Sequence, residues 1–393
     1  MTETILCDLG YYTVENKIFY NKTEAMLYAS QFNGELKWFY HKDRFDSVNW
    51  TIEPEISLDD FYKIRAQQIR NKYDYVAVFL SGGSDSTNVV MSFINNDIHI
   101  DEIIISEPTS GMNNFKVNDK NTNKSNHISE IQYAAIPLAS KIKSQFPNIR
   151  ITMNDVFENI LNFKDEEWVL NSVDWTHPSS LGRFSINSLT HIKKLAEEGK
   201  KIGLVYGVDK PIVICDSNDN INLVLVDYGV NVPQQPFDII YPNVDRILFY
   251  WTPDLPELMV KQAHTVAKEI YKPENKHVLE LMYDGRKPIL NEIEDRARHN
   301  KYERLIMHWI YPSIKCDAFQ ADKQCNLLMA EYDIWLYDNH KNERVSQMVV
   351  SDISFLIKSI NPRFLTNSNN AFKRHIYKWV IGPESKFKQQ FII

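Results

Sequence analysis

Apolar runs alternate with amphipathic stretches in the first half of the chain, and their order predicts an α/β core. The runs have the length and composition of buried parallel strands and cover residues 75–80, 102–106, 148–153 and 202–206. Apolar residues recur with helical spacing near 86–96, 128–145 and 183–198. Strands and helices in this order predict a parallel sheet wrapped by helices, which we place within residues 58–230.

The two flanking regions have different patterns. Residues 1–57 mix short aromatic runs such as Trp38-Phe39-Tyr40 with the turn-like pair Asn33-Gly34, which predicts a small N-terminal α+β cap. Residues 231–393 are predicted to be mostly helical, because strand-like alternation is scarce and helical spacing covers 255–271, 294–310 and 321–337.

The loop after the first predicted strand carries the clearest chemical signal. It reads Ser81-Gly82-Gly83-Ser84-Asp85-Ser86-Thr87 and opens a helical stretch. Two glycines let the backbone approach a ligand, so that successive amides and the helix dipole can hold an anion. The Ser and Thr hydroxyls can donate further hydrogen bonds, and Asp85 is a carboxylate suited to Mg²⁺. We interpret the loop as a pyrophosphate cradle. The alternative is a tight turn in which Ser84 or Asp85 only caps the helix.

This loop resembles the PP-loop of the N-type ATP pyrophosphatase superfamily, which includes asparagine synthetases, NAD, GMP and argininosuccinate synthetases, and tRNA-modifying adenylating enzymes. The resemblance implies an adenine nucleotide alpha hydrolase-like fold, ATP bound by residues 81–87, magnesium on Asp85, and transfer of AMP to a substrate oxygen. The sequence contains no Gly-x-x-x-x-Gly-Lys-Ser/Thr, which disfavours transfer of the γ-phosphate.

A second segment, residues 174–210, narrows the resemblance. It runs through a helical stretch and the apolar run at 202–206 into Gly207-Val208-Asp209-Lys210. Gly207 is expected to turn the chain at the strand end, and Asp209 to share magnesium with Asp85, because the carboxyl ends of parallel strands lie on one edge. The segment looks like the asparagine synthetase branch, but Lys210 stands where that family has Glu. Lys210 either adds a cation near the α-phosphate or points to solvent, and the alternative for the whole loop is a surface turn.

Three further segments have open interpretations. Ser106, at the end of the second predicted strand, is expected near the adenine, and the polar stretch 107–126 is either a lid with phosphate-contacting lysines or surface decoration. Residues 250–256 are either a helix start with packed aromatics or the wall of an acceptor pocket. A basic C-terminal run is a solvated face, a source of a cation for pyrophosphate, or a nucleic-acid patch; it comprises Lys358, Arg363, Lys373, Arg374, Lys378, Lys386 and Lys388.

Composition excludes several classes of protein. The chain has 393 residues, a formal charge of -7 and a pI near 5.9, which argues against a protein that mainly coats nucleic acid. Its four cysteines lack the paired spacing of zinc or dithiol sites. We find no leader and no apolar stretch of membrane-spanning length, so we predict a cytoplasmic protein without a membrane partner.

The leading hypothesis is an adenylating ligase that uses ATP and Mg²⁺. A substrate carboxylate or carbonyl oxygen attacks ATP, and an amine then displaces AMP. Glutaminases of the asparagine synthetase branch need an N-terminal Cys, but this chain has Thr2 and only about 74 residues before the first core strand. Ammonia, a substrate amine or a separate glutaminase is therefore expected as the nitrogen source. The alternatives are a modifier of nucleotide or nucleic-acid bases and a non-catalytic ATP/AMP-binding regulator, and a homo-oligomer is compatible with all three.

Overall fold

The computed structural model describes residues 10–19, 25, 28, 29, 31–107, 130–155, 189–208, 210–226, 241–284, 286, 292–314 and 376–388. Strands β1 (Tyr11–Val14), β2 (Lys17–Phe19) and β3 (Leu36–Phe39) form an antiparallel sheet in the order β2-β1-β3, followed by the short helix α1 (Lys42–Asp46). The N-terminal region thus combines a small sheet with a helix.

Helix α2 (Leu58–Lys72) leads into the core of the molecule. Ser57 caps it, because the Ser57 hydroxyl accepts a hydrogen bond of 3.1 Å from the amide of Asp60. Its apolar face is buried, and strand β4 (Tyr75–Phe79) follows. The chain then turns through the residue 81–83 loop into helix α3 (Ser84–Ile94) and strand β5 (Glu102–Glu107).

The rest of the core continues the alternation of strand and helix. A π-helical turn (Ile131–Ala135) passes into α4 (Ile136–Gln145), which precedes β6 (Arg150–Asp155). Helix α5 (Thr190–Glu197) then precedes β7 (Ile202–Tyr206), whose residues are all buried. The four strands predicted from apolar runs, and helices at the three predicted places, are therefore confirmed.

Five strands form a parallel sheet in the order β6-β5-β4-β7-β10, with β10 spanning Val244–Leu248. The sheet and its helices have the α/β architecture that the sequence predicts. Strand β10 was not predicted, because Asp245 and Arg246 interrupt its apolar pattern. It lies beyond residue 230, where we placed the end of the α/β region, and those region boundaries stay predictions.

A second sheet of mixed direction joins distant parts of the chain. Strands β8 (Ile212–Cys215) and β9 (Asn220–Val226) form a hairpin, β11 (Tyr283–Asp284) pairs with β8, and β12 (Ile376–Pro383) pairs with β9. The β12 strand shows that the C-terminal region is not helical throughout. Rings of β12 stack on the N-terminal region, with the Trp379 and Trp50 centroids 4.8 Å apart.

The predicted helices at 255–271 and 294–310 are confirmed as α6 (Glu257–Ile270) and α8 (Glu292–Ile310). Between them lie a 3₁₀ turn (Pro273–Asn275) and the short α7 (Lys276–Leu279), and α9 (Glu384–Lys388) follows β12. The predicted helix at 321–337 lies outside the described residues. Within the described ranges, no helix combines the length and apolar character needed to span a bilayer.

Candidate functional site

The candidate site lies where the strand order of the parallel sheet reverses. Strands β4, β5 and β6 run outward to one side in chain order, whereas β7 and β10 lie on the other side of β4. Ligands of such sheets bind outside the carboxyl ends of the strands at this reversal. The two loops that leave the neighbouring ends of β4 and β7 are the Ser81 loop and the Gly207–Lys210 loop, and both were singled out from sequence.

The two loops are in direct backbone contact. A Cβ atom on Gly207 would lie 2.8 Å from the carbonyl carbon and oxygen of Asp85 and 2.8 Å from the Cα atom of Ser86. The φ angle of Gly207 lies outside the left-handed region, so conformational strain does not explain the glycine. Position 207 therefore needs glycine because the first turn of α3 passes too close for a side chain.

An ion pair joins the same loops. The Nζ atom of Lys210 lies 2.5 Å from Oδ2 of Asp85, and their side chains are only 10% and 21% exposed. Lys210 therefore does not point to solvent, which was one of the two expectations for it. Asp209, predicted as the second magnesium ligand, lies outside the described residues.

Two tyrosines also hold Asp85: Tyr311, which the sequence analysis missed, and Tyr250, the first residue of the segment 250–256 whose role it left open. The Tyr311 hydroxyl donates to Oδ1 of Asp85, and the Tyr250 hydroxyl donates to the Asp85 backbone carbonyl at 2.9 Å. Burial, strengthened by the nearby charge of Asp85, raises the pKa of both tyrosines well above its ordinary value, so both stay protonated as donors. Asn88 Nδ2 donates to the Tyr250 hydroxyl at 3.0 Å.

This polar cluster ties the end of α8 to the Ser81 loop. The Tyr62 hydroxyl of α2 donates to the carbonyl of Ile310, the residue before Tyr311, and accepts a 2.9 Å bond from Gln262. All the groups in this chain of contacts are at least partly buried. The position of Asp85 is thus fixed by α2, α6 and α8 as well as by its own loop.

The Ser81 loop is organised by its own hydroxyls. Ser86 Oγ accepts from the Ser81 amide at 3.1 Å and donates to the Gly83 carbonyl at 3.2 Å, while Ser81 Oγ accepts from the Gly83 amide at 3.3 Å. The amides of Ser84, Asp85 and Ser86 lie in the first turn of α3, where a helix supplies no acceptor. The loop therefore presents amides rather than the Ser81 and Ser86 hydroxyls as its donors.

The two loop glycines have different roles. Gly82 has φ +86°, and a Cβ there would lie 2.5 Å from the Glu130 carbonyl oxygen and 2.8 Å from the Ala135 amide nitrogen. Gly82 is therefore required by its left-handed conformation and by the π-helical turn beside it. Gly83 has φ -70°, and its Cβ would make only ordinary contacts, the nearest at 3.5 Å with Glu130 Oε1.

The other predicted positions lie on α3, at the end of β5 and in the C-terminal region. Ser84 and Thr87 are buried in the first turns of α3, and Ser106 ends on the same sheet edge, where it accepts a 3.3 Å hydrogen bond from Asn154. The predicted lid residues 108–126 lie outside the described ranges. Among the basic C-terminal residues, Lys378, Lys386 and Lys388 contact Asp216, the Thr51 carbonyl and Glu384 respectively.

The surroundings of Asp85 do not fit a magnesium ion as described. Its two carboxylate oxygens already meet Lys210 and Tyr311. A magnesium ion on Asp85 would lie beside the Lys210 ammonium, and a divalent and a unit charge about 4 Å apart repel by roughly 8 kcal/mol near a protein surface. Asp85 in this arrangement holds Lys210 in place.

A second cluster of possible ligands lies at the ends of β8 and β12. Cys215, Asp219 and Glu384 bring their ligand atoms within 4.8 Å of one another. Arg286 already neutralises this group, with Nη1 at 2.6 Å from Asp219 and 3.0 Å from Glu384. We interpret it as a structural network of the mixed sheet.

Comparison with known proteins adds no family: no family model matches the chain, and no curated protein gives a significant match.

Proposed function

We propose that this chain is an ATP-dependent adenylating ligase of the PP-loop kind, and that ATP binds in the crevice between the Ser81 loop and the Gly207–Lys210 loop. The observation that carries the proposal is the contact of these loops through Gly207 and the Lys210–Asp85 ion pair. That contact lies at the reversal of strand order, where sheets of this kind bind nucleotides. The strand order also supports an adenine nucleotide alpha hydrolase-like fold.

The proposed roles follow from the chemistry of each group. The amides of residues 84–86 and the positive end of the α3 dipole face the phosphates, because anions bind at helix N-termini. Lys210 supplies the cation that stabilises charge developing near the α-phosphate, and Asp85 and Tyr311 position it. Ser106 contributes a contact to the adenine, and the magnesium contact expected of Asp209 stays a prediction.

The proposed reaction has two steps. A carboxylate or carbonyl oxygen of the substrate attacks the α-phosphorus of ATP; a phosphorus–oxygen bond forms and the bond to the leaving pyrophosphate breaks. An amine or ammonia then attacks the activated carbon, AMP leaves with the bonding electron pair, and the amine loses a proton. The product is an amide or amidine. The groups of the crevice act in the first step, where negative charge moves onto pyrophosphate.

The test is product analysis with ATP labelled at the α-phosphate. Purified protein is incubated with pooled small metabolites or with nucleic acid, and AMP is separated from ADP. We expect AMP as the product. Whether the metabolites or the nucleic acid support its formation distinguishes a small-molecule ligase from a base modifier. Asp85→Asn should fold and lose most of this turnover, because it releases Lys210. ADP as the main product, or full activity in Asp85→Asn, would contradict the proposal.

A nucleotide-binding regulator without turnover is the second candidate. The observation that favours it is that Asp85 and the hydroxyls of Ser81 and Ser86 already have partners within the protein. A regulator would bind ATP or AMP in equilibrium dialysis and release no labelled AMP with any pool, whereas the ligase releases it with one of them.

A further inference from the structure

A small, partly open cleft lies between α2, strand β10 and the segment 249–254 that follows β10. Of the described side chains that line it, three are basic, Arg65, Lys72 and Arg246, and one is acidic, Asp254. Trp251 supplies an aromatic wall. None of these residues belongs to the crevice between the Ser81 and Gly207 loops, so the cleft is a separate feature with a positive lining.

Arg65 gives the cleft a buried cation. The residue is 3% exposed, and its Nε and Nη2 atoms donate to the carbonyls of Phe249 and Leu248, each at 3.3 Å. Its carboxylate partner is Asp254, whose Oδ2 lies 3.4 Å from Nη1 and whose side chain is 52% exposed. A buried guanidinium that is paired with a half-exposed carboxylate can also pair with an entering anion.

The guanidinium also has donors to offer. Among the described residues, acceptors meet three of the five N–H groups of Arg65. Burial lowers the pKa of Arg65, but an arginine side chain keeps its proton in proteins. A carboxylate is the natural partner, because its two oxygens match the planar fork of N–H groups.

Gln68 contributes a hydrogen-bond acceptor to the same cleft. It lies three residues after Arg65 on α2 and lines the same cleft. Its Oε1 atom is buried and meets no hydrogen-bond donor within the described part of the chain. Residues three apart on a helix are neighbours, with Cβ atoms roughly 5–6 Å apart. One small molecule can therefore reach Arg65 with an anion and Gln68 with a donor.

We propose that this cleft is a binding site for a small carboxylic acid that carries a hydroxyl or amino group beside its carboxylate. The carboxylate pairs with Arg65 in competition with Asp254, and the hydroxyl or ammonium donates to Gln68 Oε1. Lys72, which lies 3.9 Å from Asp245, and Arg246 also line the cleft. The proposal does not depend on ATP binding at the other site.

Calorimetric titration of the full chain tests this assignment with glycolate and acetate, which differ by one hydroxyl. We expect glycolate to bind with a Kd of about 1 mM or below and at least about fivefold more tightly than acetate. Gln68→Met should abolish the preference for glycolate. The matched control is Gln67→Met on the same helix, whose exposed side chain bonds Asn71 instead, and it should leave the preference unchanged.

Asp254→Asn provides a second variant, in which the amide oxygen can still accept a hydrogen bond from Arg65. It removes the competing carboxylate and should tighten the binding of both acids by about threefold or more. Absence of binding heat with glycolate, or unchanged affinity in Asp254→Asn, would overturn the proposal. Tighter binding of inorganic phosphate than of glycolate would also overturn it, by assigning the cleft to phosphate.

Discussion

Replacing Gly207 with alanine tests the contact on which the candidate site depends. The new methyl carbon would lie 2.8 Å from three backbone atoms of Asp85 and Ser86. Non-bonded carbon atoms prefer separations of about 3.5–4.0 Å, so the two loops must move apart by about 0.7 Å or more. Both partners are backbone, and one is the first turn of α3, so no flexible side chain can absorb the shift.

The magnitude follows from two opposing effects. Overpacking of this kind costs about 1–3 kcal/mol. Alanine also restricts the unfolded chain, which offsets about 0.4–1 kcal/mol. We therefore expect Gly207→Ala to lower the free energy of unfolding by about 1–2 kcal/mol. Because the shift separates Lys210 from Asp85, ATP binding should weaken as well.

Urea unfolding and equilibrium ATP binding measure the two effects, and Gly199→Ala is the matched control. Gly199 has φ +84° and nothing within 4 Å of an added Cβ, so backbone strain of about 1–2 kcal/mol destabilises it without touching the crevice. Both variants should lose stability, and only Gly207→Ala should lose ATP affinity. Wild-type stability in Gly207→Ala would refute the contact between the loops.

Three further predictions concern single side chains. Tyr311→Phe should lower the free energy of unfolding, measured in urea, by about 1–3 kcal/mol, because it removes a hydrogen-bond donor from Asp85. The control is the surface change Tyr241→Phe, which should cost less than about 0.5 kcal/mol. Equal losses in the two variants would contradict the role of Tyr311. Burial lowers the pKa of His264, so the folded chain binds fewer protons than the unfolded chain below about pH 6.5. Stability should therefore fall as the pH drops from 6.5 toward the folded pKa, and His264→Gln should reduce that fall in urea midpoints; an unchanged pH slope would refute the assignment. Burial raises the pKa of the Cys215 thiol to about 11, so the thiol should react with iodoacetamide at about pH 8 only after urea unfolds the protein. Labelling of the peptide that contains Cys215 measures this. Reaction of Cys215 in the native protein as fast as that of free glutathione would contradict the prediction.

The core of the fold could be predicted because its strands are locally readable. Strand β7 is buried along its whole length and therefore appears in the sequence as an uninterrupted apolar run. Strand β10 lies at the sheet edge, and Asp245 on it accepts a 2.7 Å hydrogen bond from the Tyr73 hydroxyl, which breaks the pattern. Strand β12 pairs with β9, some 150 residues earlier, and such a pairing has no local signal.

The candidate site likewise has one part that the local sequence predicts and one part that depends on long-range packing. The Ser81 and Gly207 loops follow readable strands, so their nearness could be deduced from the geometry of a parallel sheet. The contacts of Asp85 with Tyr250 and Tyr311 depend on how α6 and α8 pack, and no spacing in the sequence encodes them. The sequence analysis also explained Gly82 by the close approach of a ligand to the backbone. In the structure, the atoms that leave no room for a side chain at Gly82 belong to Glu130 and Ala135.

Exchange of labelled pyrophosphate into ATP tests the central claim most directly, because it requires reversible adenylation. With the metabolites or nucleic acids that support AMP formation present, we predict exchange by the wild-type chain. The exchange rate should fall at least about tenfold in Lys210→Met, which corresponds to a loss of about 1.4 kcal/mol or more of transition-state stabilisation. Lys200→Met, an exposed lysine ahead of β7, is the control and should retain full exchange. Exchange that persists in Lys210→Met, or ATP that binds and is cleaved only to ADP, would contradict the account.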